Sequence, residues 1–461
     1  MARQPNVLWI QCDELRADAL GCYADRYDVH LTPNLDGVAE RGVRFTEVHN
    51  NSPVCVSSRT SMLTGRYPHE IGVYHNEAVN TNVLPPGTKT FPEVFAEAGY
   101  RTVNVGKIHT PKHDTWSEIL RPGPRAKVDD LKLEKAIRSP GPPNVYFAGI
   151  RPDDVPTYTT LLGDKAVEFL SGVEDDRPWL FRVSFVDPHT PVVPPARFAK
   201  LADEADFAFD AERDRACESM SPFEQELSRV QRSADLTPEQ IARCRAHYFA
   251  LTAHVDDEVG RILAALEKRG LTKDTIVYFD ADHGAMLGEN GLWQKQSFQS
   301  TVTRSPYLIS WPGTLPEGEV RTDLAQLLDT GPTLLGLCGI ERDEGRRGRD
   351  LFGDEPEPEV VFGAIGYGNE DSITYPLARC GEVWPRRACI RTKTHRLGTS
   401  VRFRGESLTG ADRRPDLIDL DSDPNERTNV YDAAAYGEVR DRLERALDNW
   451  LQAGIEVDLT T

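Results

Sequence analysis

A cysteine and an arginine near residue 55 form the first group of residues that could do chemistry. Cys55 is followed four positions later by Arg59, and residues 63–66 read Leu-Thr-Gly-Arg. Residues 57–63 are predicted to open a helix, and the free N–H groups at a helix N-terminus bind anions. Arg59 lies one turn into this helix, where it can face the same anion. An isolated cysteine is more often a small buried residue, so other segments must decide its role.

Acidic, basic and imidazole side chains follow several segments that are predicted to be buried strands. Asp13 and Glu14 follow residues 6–12, Lys107 and His109 follow residues 101–105, His189 follows residues 179–186, and Asp282 and His283 follow residues 275–279. Open α/β sheets bind ligands at the carboxyl ends of their strands. These side chains are therefore expected to meet at one rim of the sheet, in a single pocket.

Taken in order, these segments resemble the type I sulfatases, the formylglycine-dependent branch of the alkaline-phosphatase-like superfamily. Residues 55–59 resemble the family signature Cys-x-Pro-Ser-Arg, with Ser57 in place of the proline. The N-terminal strand with its acidic pair, and the late segments 280–284 and 288–295, also resemble that family. The Asp-His pair at 282–283 is similar to that of choline sulfatases, iduronate-type sulfatases and phosphonate monoester hydrolases. The resemblance runs through residues 5–315.

The resemblance implies a modified cysteine and a metal ion. Cys55 would be oxidised after translation to formylglycine, whose hydrate carries two hydroxyl groups; one would attack the sulfur of a sulfate ester and the other would later expel sulfate. One divalent cation would be bound by Asp13, the modified Cys55, Asp282 and His283, with Glu14 as a fifth ligand. Carboxylate ligands favour Ca²⁺, the ion expected here, with Mg²⁺ or Mn²⁺ as alternatives.

The resemblance also assigns residues to substrate binding and proton transfer. Lys107 would bridge the hydrate and the sulfate, and His109 would be the base that breaks down the covalent adduct. His189 would contact the sulfate and the leaving oxygen, and Lys295 would bind the sulfate and protonate the departing alkoxide. Asn76 lies where related members place an asparagine that contacts substrate. Three other histidines are expected to be ordinary surface or core residues: His113, His247 and His254.

The predicted function is the hydrolysis of a sulfate monoester to an alcohol and sulfate. A phosphonate or phosphate ester hydrolase on the same residues is the first alternative, and the Gly-Lys-x-His element at residues 106–109 favours the sulfatase. A binding protein that has kept the fold without converting Cys55 is the second. Several like charges in an unused pocket would be costly, which argues against it. Expected partners are a small anionic ester and a formylglycine-generating enzyme, and a homo-oligomer is left open.

Composition indicates a large soluble enzyme. The chain has 461 residues, 39% of them apolar, and a formal charge of −19 without a basic tract. Nucleic acid and anionic membranes are therefore poor partners. No apolar stretch approaches the ~20 residues needed to span a bilayer, and we expect no signal peptide before the first strand. The eight cysteines lack the paired spacing of disulfide or zinc frameworks, which predicts reduced thiols and a cytoplasmic location.

The elements that must position these residues alternate between strand and helix, which predicts an α/β fold. We expect a large mixed, mostly parallel sheet sandwiched by helices, with further strands at 43–48 and 307–311 and a long helix at 238–269. Residues 1–350 would form the catalytic domain. Its segments 110–157 and 200–235 would be either lids over the pocket or solvated surface insertions. Residues 351–461 would form a small antiparallel subdomain with a helix at 433–451.

Overall fold

Strands supply the framework of the molecule, seen in a computed structural model that describes residues 4–24, 26–76, 78–81, 84–111, 115–124, 126–139, 146–174, 177–366, 386–402, 406–407 and 413–453. The strands are β1 (Asn6–Asp13), β2 (Val43–His49), β3 (Arg101–Gly106), β4 (Glu118–Leu120), β5 (Glu134–Arg138), β6 (Phe147–Ile150), β7 (Trp179–Pro188), β8 (Thr275–Ala281), β9 (Met286–Leu287), β10 (Trp293–Gln294), β11 (Tyr307–Ser310), β12 (Glu319–Gln326), β13 (Val361–Gly366), β14 (Arg386–Arg391), β15 (His395–Arg402), β16 (Glu406–Ser407) and β17 (Asp416–Asp419).

Helices cover these strands. They are α1 (Pro33–Glu40), α2 (Cys55–Thr64), α3 (Pro68–Ile71), α4 (Ala78–Thr81), α5 (Phe91–Glu97), α6 (Tyr158–Gly172), α7 (Ala196–Ala199), α8 (Ala211–Asp214), α9 (Pro222–Gln231), α10 (Pro238–Lys268), α11 (Ser300–Thr303), α12 (Thr330–Leu337) and α13 (Gly437–Ala453). Within the described ranges, no helix is long and apolar enough to cross a membrane.

Eight strands form the main sheet in the order β12-β2-β11-β8-β1-β7-β3-β4. The neighbours of β1, which are β7 and β8, both run parallel to it, and β3 and β4 continue in the same direction. β11 runs antiparallel to both of its neighbours, β2 and β8. The sheet is therefore mixed and mostly parallel, which confirms the predicted fold class.

Both faces of the main sheet are buried, as the side chains of β1 illustrate. Leu8 and Ile10 belong to a core that includes α1, α6 and α10, whereas Val7 and Trp9 belong to a second core that includes α2, α5 and α12. Successive side chains of a strand point to opposite faces, so an unbroken apolar strand needs cover on both sides. This explains why β1 is apolar without alternation.

The long helix α10 spans nearly the predicted range. It begins after Thr237, whose hydroxyl accepts a hydrogen bond from the backbone N–H of Gln240, and it ends at Lys268 just before Gly270. A threonine cap with glutamine three positions later forms a capping box, which satisfies N–H groups at the helix start. Twenty of its residues are buried, so α10 is a central support rather than a surface helix.

The two segments predicted as lids or insertions both contain secondary structure. Residues 110–157 contribute β4, an edge strand of the main sheet, and the hairpin of β5 and β6. Residues 200–235 contribute α9, whose Gln231 side chain bonds to both the backbone N–H and the carbonyl of Trp293. The second segment therefore packs directly on the β9–β10 hairpin.

A five-stranded antiparallel sheet, β13-β14-β15-β16 with β17 beside β15, lies towards the C-terminus. Helix α13 packs on it through Trp450, whose ring stacks on Phe362 at 4.8 Å between centroids. The smaller sheet contacts the larger one beside the loop before α2, because Asn51 exchanges hydrogen bonds with the backbone of Phe362 and Ala364. A small antiparallel unit was expected here, and the proposed boundary at residue 350 stays a prediction.

Gly106, the last residue of β3, lies at a position that only glycine can occupy without strain. Its φ is +97°, and a Cβ atom at this position would lie 2.1 Å from the carbonyl oxygen of Ser184. Both the backbone conformation and the close approach require glycine. Gly106→Ala should therefore lower the free energy of unfolding by more than about 2 kcal/mol, which denaturant titration would measure. Gly172→Ala is the matched control, because the corresponding Cβ meets nothing within 4 Å. Equal stability of the two variants would contradict this account.

Candidate active site

Cys55 is the first residue of α2 and lies at the carboxyl rim of the main sheet, where its side chain is fully buried. Two neighbours fix this start of the helix. The side-chain oxygen of Asn76 accepts a hydrogen bond from the N–H of Val56 at 3.0 Å, and the Ser57 hydroxyl donates to the carbonyl of Val73 at 2.7 Å. Proline is tolerated in the first turn of a helix, and Ser57 occupies such a position with a hydrogen bond of its own. Asn76, predicted to bind substrate, thus contacts the helix beside residue 55.

Positive groups surround the sulfur of Cys55. The Lys295 ammonium lies 3.1 Å from Sγ, and Nε2 of His283 lies 3.2 Å from it. Burial alone raises the pKa of the Cys55 thiol, but Lys107, Lys295 and His283, together with a hydrogen bond from His109, bring that pKa well below its ordinary value. An anion at residue 55 is therefore strongly stabilised.

Four side chains offer ligand atoms that all lie within 4.8 Å of one another: Asp13, Cys55, Asp282 and His283. All four are buried, and Oδ1 of Asp13 has no hydrogen-bond partner among the described residues. Burial lowers the pKa of His283, but Asp282 and Cys55 raise it to about 9. Such a concentration of buried acceptors fits a divalent cation, and two carboxylates with an imidazole suit Ca²⁺, Mg²⁺ or Mn²⁺.

Glu14, predicted as a fifth ligand, is paired with basic groups. Its Oε2 lies 2.9 Å from the ammonium of Lys295 and 3.3 Å from Nε2 of His189. Its backbone N–H donates to Oδ1 of Asp282 at 3.0 Å, so the main chain of Glu14 helps to hold a ligand. Glu14 does not belong to the group of four ligand atoms, and its assignment to the metal stays a prediction.

Arg59 lies behind the ligand group. Its Nε donates to Oδ2 of Asp282 at 2.6 Å, and its Nη1 donates to Gln11 and to Ser184, both at 2.9 Å. The side chain is fully buried, and within the described residues only Nη2 lacks a partner. The sequence predicted that Arg59 faces the bound anion. One of its hydrogen bonds holds Asp282 and the others hold neighbouring residues, so the contact of Arg59 with an anion stays a prediction.

The other predicted residues lie around residue 55. The ammonium of Lys107 forms an ion pair with Asp13, and His109 faces the Cys55 sulfur. His189 has its Nδ1 against the carbonyl of Thr190 at 2.6 Å, so Nδ1 carries the hydrogen and Nε2 faces Lys295 at 2.9 Å. Away from this group, His247 and His254 are buried on α10, as expected of core histidines, and His113 lies outside the described residues.

Two further residues support the site: Tyr248, which has no recognisable signal in the sequence, and Ser58, which belongs to the signature at residues 55–59 but was given no role there. Tyr248 of α10 donates its hydroxyl hydrogen to the carbonyl of Glu14 at 2.5 Å and accepts one from the N–H of Arg16 at 2.9 Å. The Ser58 hydroxyl donates to the carbonyl of Asp282 at 2.6 Å. These contacts join α2 and α10 to the ligand-bearing loops, and only the three-dimensional contacts reveal them.

A small, mostly apolar cavity of about 20 Å³ lies beside Glu14. Its walls include Tyr146 and Phe147 from the first predicted insertion, and Trp293 from the β9–β10 hairpin. The hydroxyl of Tyr146 and the ring N–H of Trp293 are buried and have no partner among the described residues. Uncharged groups therefore line one side of an otherwise strongly charged site.

The four ligand atoms of Asp13, Cys55, Asp282 and His283 should bind a divalent cation in the folded protein. Ca²⁺ added to chelator-treated protein should raise its unfolding temperature, because an ion bound only by the folded state stabilises it, by about 2.7 kcal/mol at 100 times Kd. Asp282→Asn should abolish most of this shift and lower the bound calcium measured by mass spectrometry of the metal. The variant also leaves Arg59 without its carboxylate partner, so the calcium-induced shift, not the absolute stability, is compared.

Asp280→Asn is the matched control. Asp280 is equally buried and lies two positions earlier, on β8, but it accepts a hydrogen bond from Trp9 at 2.9 Å and lies outside the ligand group. Its calcium-induced shift should equal that of the unmodified chain. An unchanged calcium response in Asp282→Asn would rule out this ligand set.

Comparison with known proteins agrees with this geometry. The sulfatase family model matches residues 5–340. A choline-sulfatase of Rhizobium meliloti is 30% identical over 366 residues, covering 74% of this chain and 69% of that protein. The human iduronate 2-sulfatase is 30% identical over 386 residues, covering 73% and 69%.

A solved structure shares the fold. The phosphonate monoester hydrolase of Silicibacter pomeroyi superposes with a TM-score of 0.77 and 24% identity, covering 96% of this chain and 94% of that one. The residues that converge on Cys55 lie within the region that the family model matches. The chain therefore belongs to the sulfatase family of sulfuric ester hydrolases, on the alkaline-phosphatase-like fold.

Proposed function

We propose that Cys55 is converted to formylglycine and that the hydrate of this residue is the nucleophile in the hydrolysis of a sulfate monoester. The observation that carries the proposal is the convergence of Lys107, Lys295, His109 and His283 on the buried Cys55 sulfur at the start of α2. The sulfur marks the place that an oxygen of the hydrate would occupy. A group at this place is surrounded by cations that bind an anionic substrate and by imidazoles that move protons.

Asp13, Asp282, His283 and residue 55 would hold one divalent cation, with Ca²⁺ as the expected ion and Glu14 as the further ligand. When bound, the cation supplies positive charge that lowers the pKa of the nucleophilic hydroxyl and neutralises the sulfate. Arg59 would act as a positioning residue, because its guanidinium fixes the Asp282 carboxylate at 2.6 Å.

Lys295 is placed to serve the leaving group. Its ammonium lies within 3.1 Å of residue 55, of His189 and of Glu14. Burial lowers the pKa of Lys295, but the negative charges of Cys55, Glu14 and Asp13 raise it by more, so the net shift of the pKa is upward. A protonated lysine at this position can donate a proton to the departing alkoxide and bind a sulfate oxygen. His189 beside it would orient the same oxygen.

Lys107 and His109 lie at the end of β3, in contact with Asp13 and residue 55 respectively. Lys107 would bind the sulfate and the hydrate, and His109 would take the proton from the second hydroxyl, whose deprotonation expels sulfate. This division gives the two proton transfers to different residues. The balanced reaction consumes one water and yields one alcohol and one sulfate.

The conversion of Cys55 requires a formylglycine-generating enzyme as a partner. We propose that such an enzyme acts on this chain although Ser57 replaces the usual proline.

We also propose a reducing, cytoplasmic location. The seven described cysteines support it, because none of them forms a disulfide. A homo-oligomer stays a prediction.

Conversion is tested by peptide mass spectrometry of the protein from its native host. Residue 55 should have the mass of formylglycine or its hydrate in active protein. Cys55→Ala should lose turnover but keep its unfolding temperature within a few degrees, because the lost side chain is small. Full activity in protein that carries only the thiol at residue 55 would contradict the proposal and leave the unconverted binding protein as the better interpretation.

The substrate class is tested with matched esters of 4-nitrophenol. The sulfate should show the highest kcat/KM, above the phosphate and a phenylphosphonate, because Lys107 and His109 provide the groups needed for sulfate release. Faster turnover of the phosphonate would favour the phosphonate hydrolase, whose fold this chain shares.

The role of Lys295 is tested by comparing leaving groups. Lys295→Ala should lower kcat for an alkyl sulfate by about 10²-fold or more, because an alkoxide needs a proton to depart. The loss should be clearly smaller for 4-nitrophenyl sulfate, since 4-nitrophenolate leaves without one. Lys200→Ala, at an exposed lysine, is the matched control and should lose nothing. An equal loss for both substrates would assign Lys295 to sulfate binding alone.

A further inference from the structure

A second cavity, of about 540 Å³, lies where loops of the main-sheet unit meet the C-terminal sheet. None of the residues assigned to the reaction lines it. Ala17, Asp18 and the segment around Ser300 contribute from one side, and Leu420 and Asn425 contribute from the other. Its volume lies in the range of pockets that bind small molecules. The cavity is therefore large enough for a ligand and separate from residue 55.

The lining of this cavity is basic, although the chain as a whole carries a formal charge of −19. Two carboxylates, of Asp18 and Glu47, also face it, and both already have partners: Asp18 pairs with Arg16 at 2.6 Å and Glu47 lies 3.3 Å from His49. The basic side chains that line it are Arg26, Arg213, Arg304, Arg391 and Lys393.

Arg391, at the end of β14, is the most informative of these residues. It is 8% exposed, and its Nε and Nη1 are buried without a hydrogen-bond partner among the described residues. No carboxylate of the described chain lies within 4 Å of its guanidinium, whereas Lys393 pairs with Glu357 at 2.7 Å and Arg213 with Asp214 at 2.8 Å. Burial lowers the pKa of Arg391, and the charges of Glu426 and Glu47 offset only part of that effect, so an anionic ligand would remove the remaining cost of burying this guanidinium.

The positions of the basic groups indicate the shape of the anion. Arg26, Arg213 and Arg304 belong to the main-sheet unit, whereas Arg391 and Lys393 belong to the C-terminal sheet, so donors approach from opposite walls. A tetrahedral oxyanion presents oxygens in several directions and can accept from both walls at once, and arginine binds such oxygens in pairs. A carboxylate presents only two oxygens in one plane.

We propose that this cavity is a second anion site, which binds a tetrahedral oxyanion, sulfate or phosphate, between the two units of the fold. The oxyanion is either a free inorganic ion or the head of a small organic ester. Arg391 is its central ligand, and Lys393, whose side chain is about half exposed, marks the entrance. Because both units contribute donors, the bound anion joins the C-terminal sheet to the main sheet.

Calorimetric titration of the full-length Lys295→Gln variant with inorganic phosphate tests the proposal. The substitution removes a positive charge beside residue 55 and so weakens anion binding there. Phosphate should still bind this protein, and adding Arg391→Gln should weaken the affinity by about tenfold or more, the size of a lost charge-assisted pair. Adding Arg442→Gln is the matched control: it removes one exposed charge from the same C-terminal unit and should change nothing. Sodium chloride keeps the ionic strength constant.

Unfolding temperatures without phosphate show whether each variant is folded. If Arg391→Gln unfolds, Lys393→Gln at the half-exposed entrance replaces it and should weaken phosphate binding severalfold. Absence of phosphate binding in Lys295→Gln protein, or equal affinity with and without the cavity substitutions, would overturn the proposal. Inorganic sulfate and glucose 6-phosphate, titrated in parallel, identify the source: tighter binding of the sugar ester indicates an organic ligand, and tighter binding of an inorganic ion indicates the free anion.

Discussion

The structure depends on the mutual compensation of charges that are buried around residue 55. Arg59 and Asp282 are both fully buried and pair at 2.6 Å, and Lys295 is held between Glu14 and His189. Removing one member of such a group leaves another charge buried and unpaired, at a cost of about 3–5 kcal/mol. The loops that carry these residues must therefore be held in fixed positions relative to one another. The main sheet provides this constraint.

The parallel strands satisfy this requirement because their carboxyl ends share one edge. β1, β3, β7 and β8 deliver Asp13, Lys107, His189 and Asp282 to that edge, and α2 adds residue 55 from the loop after β2. The smaller sheet supports the same loop, since Asn51 bonds to the backbone of β13. The C-terminal sheet thus helps to hold the loop that precedes residue 55.

Sequence reasoning predicted well what short-range chemistry determines. The apolar runs of β1 and β8 and the capped helix α10 were placed within a residue or two, because burial on both faces and the Thr237 cap leave direct signatures. β12 was missed: much of it is exposed and polar, so no apolar run marks it. The hydrogen bonds of Arg59 to Gln11 and Ser184 were also not predicted, because these partners lie far away in sequence and become neighbours only when the sheet forms.

The hydrogen bonds from Gln231 to the backbone of Trp293 have a consequence for how such enzymes diversify. Lys295 follows Trp293 by two residues, so α9 helps to set the position of the predicted proton donor. Chimeras that exchange α9 between relatives should therefore change catalytic rate, because the exchanged helix carries the contacts that support the loop of Lys295. Laboratory evolution could thus adjust the rate of proton transfer through a helix that contributes none of the residues assigned to the reaction.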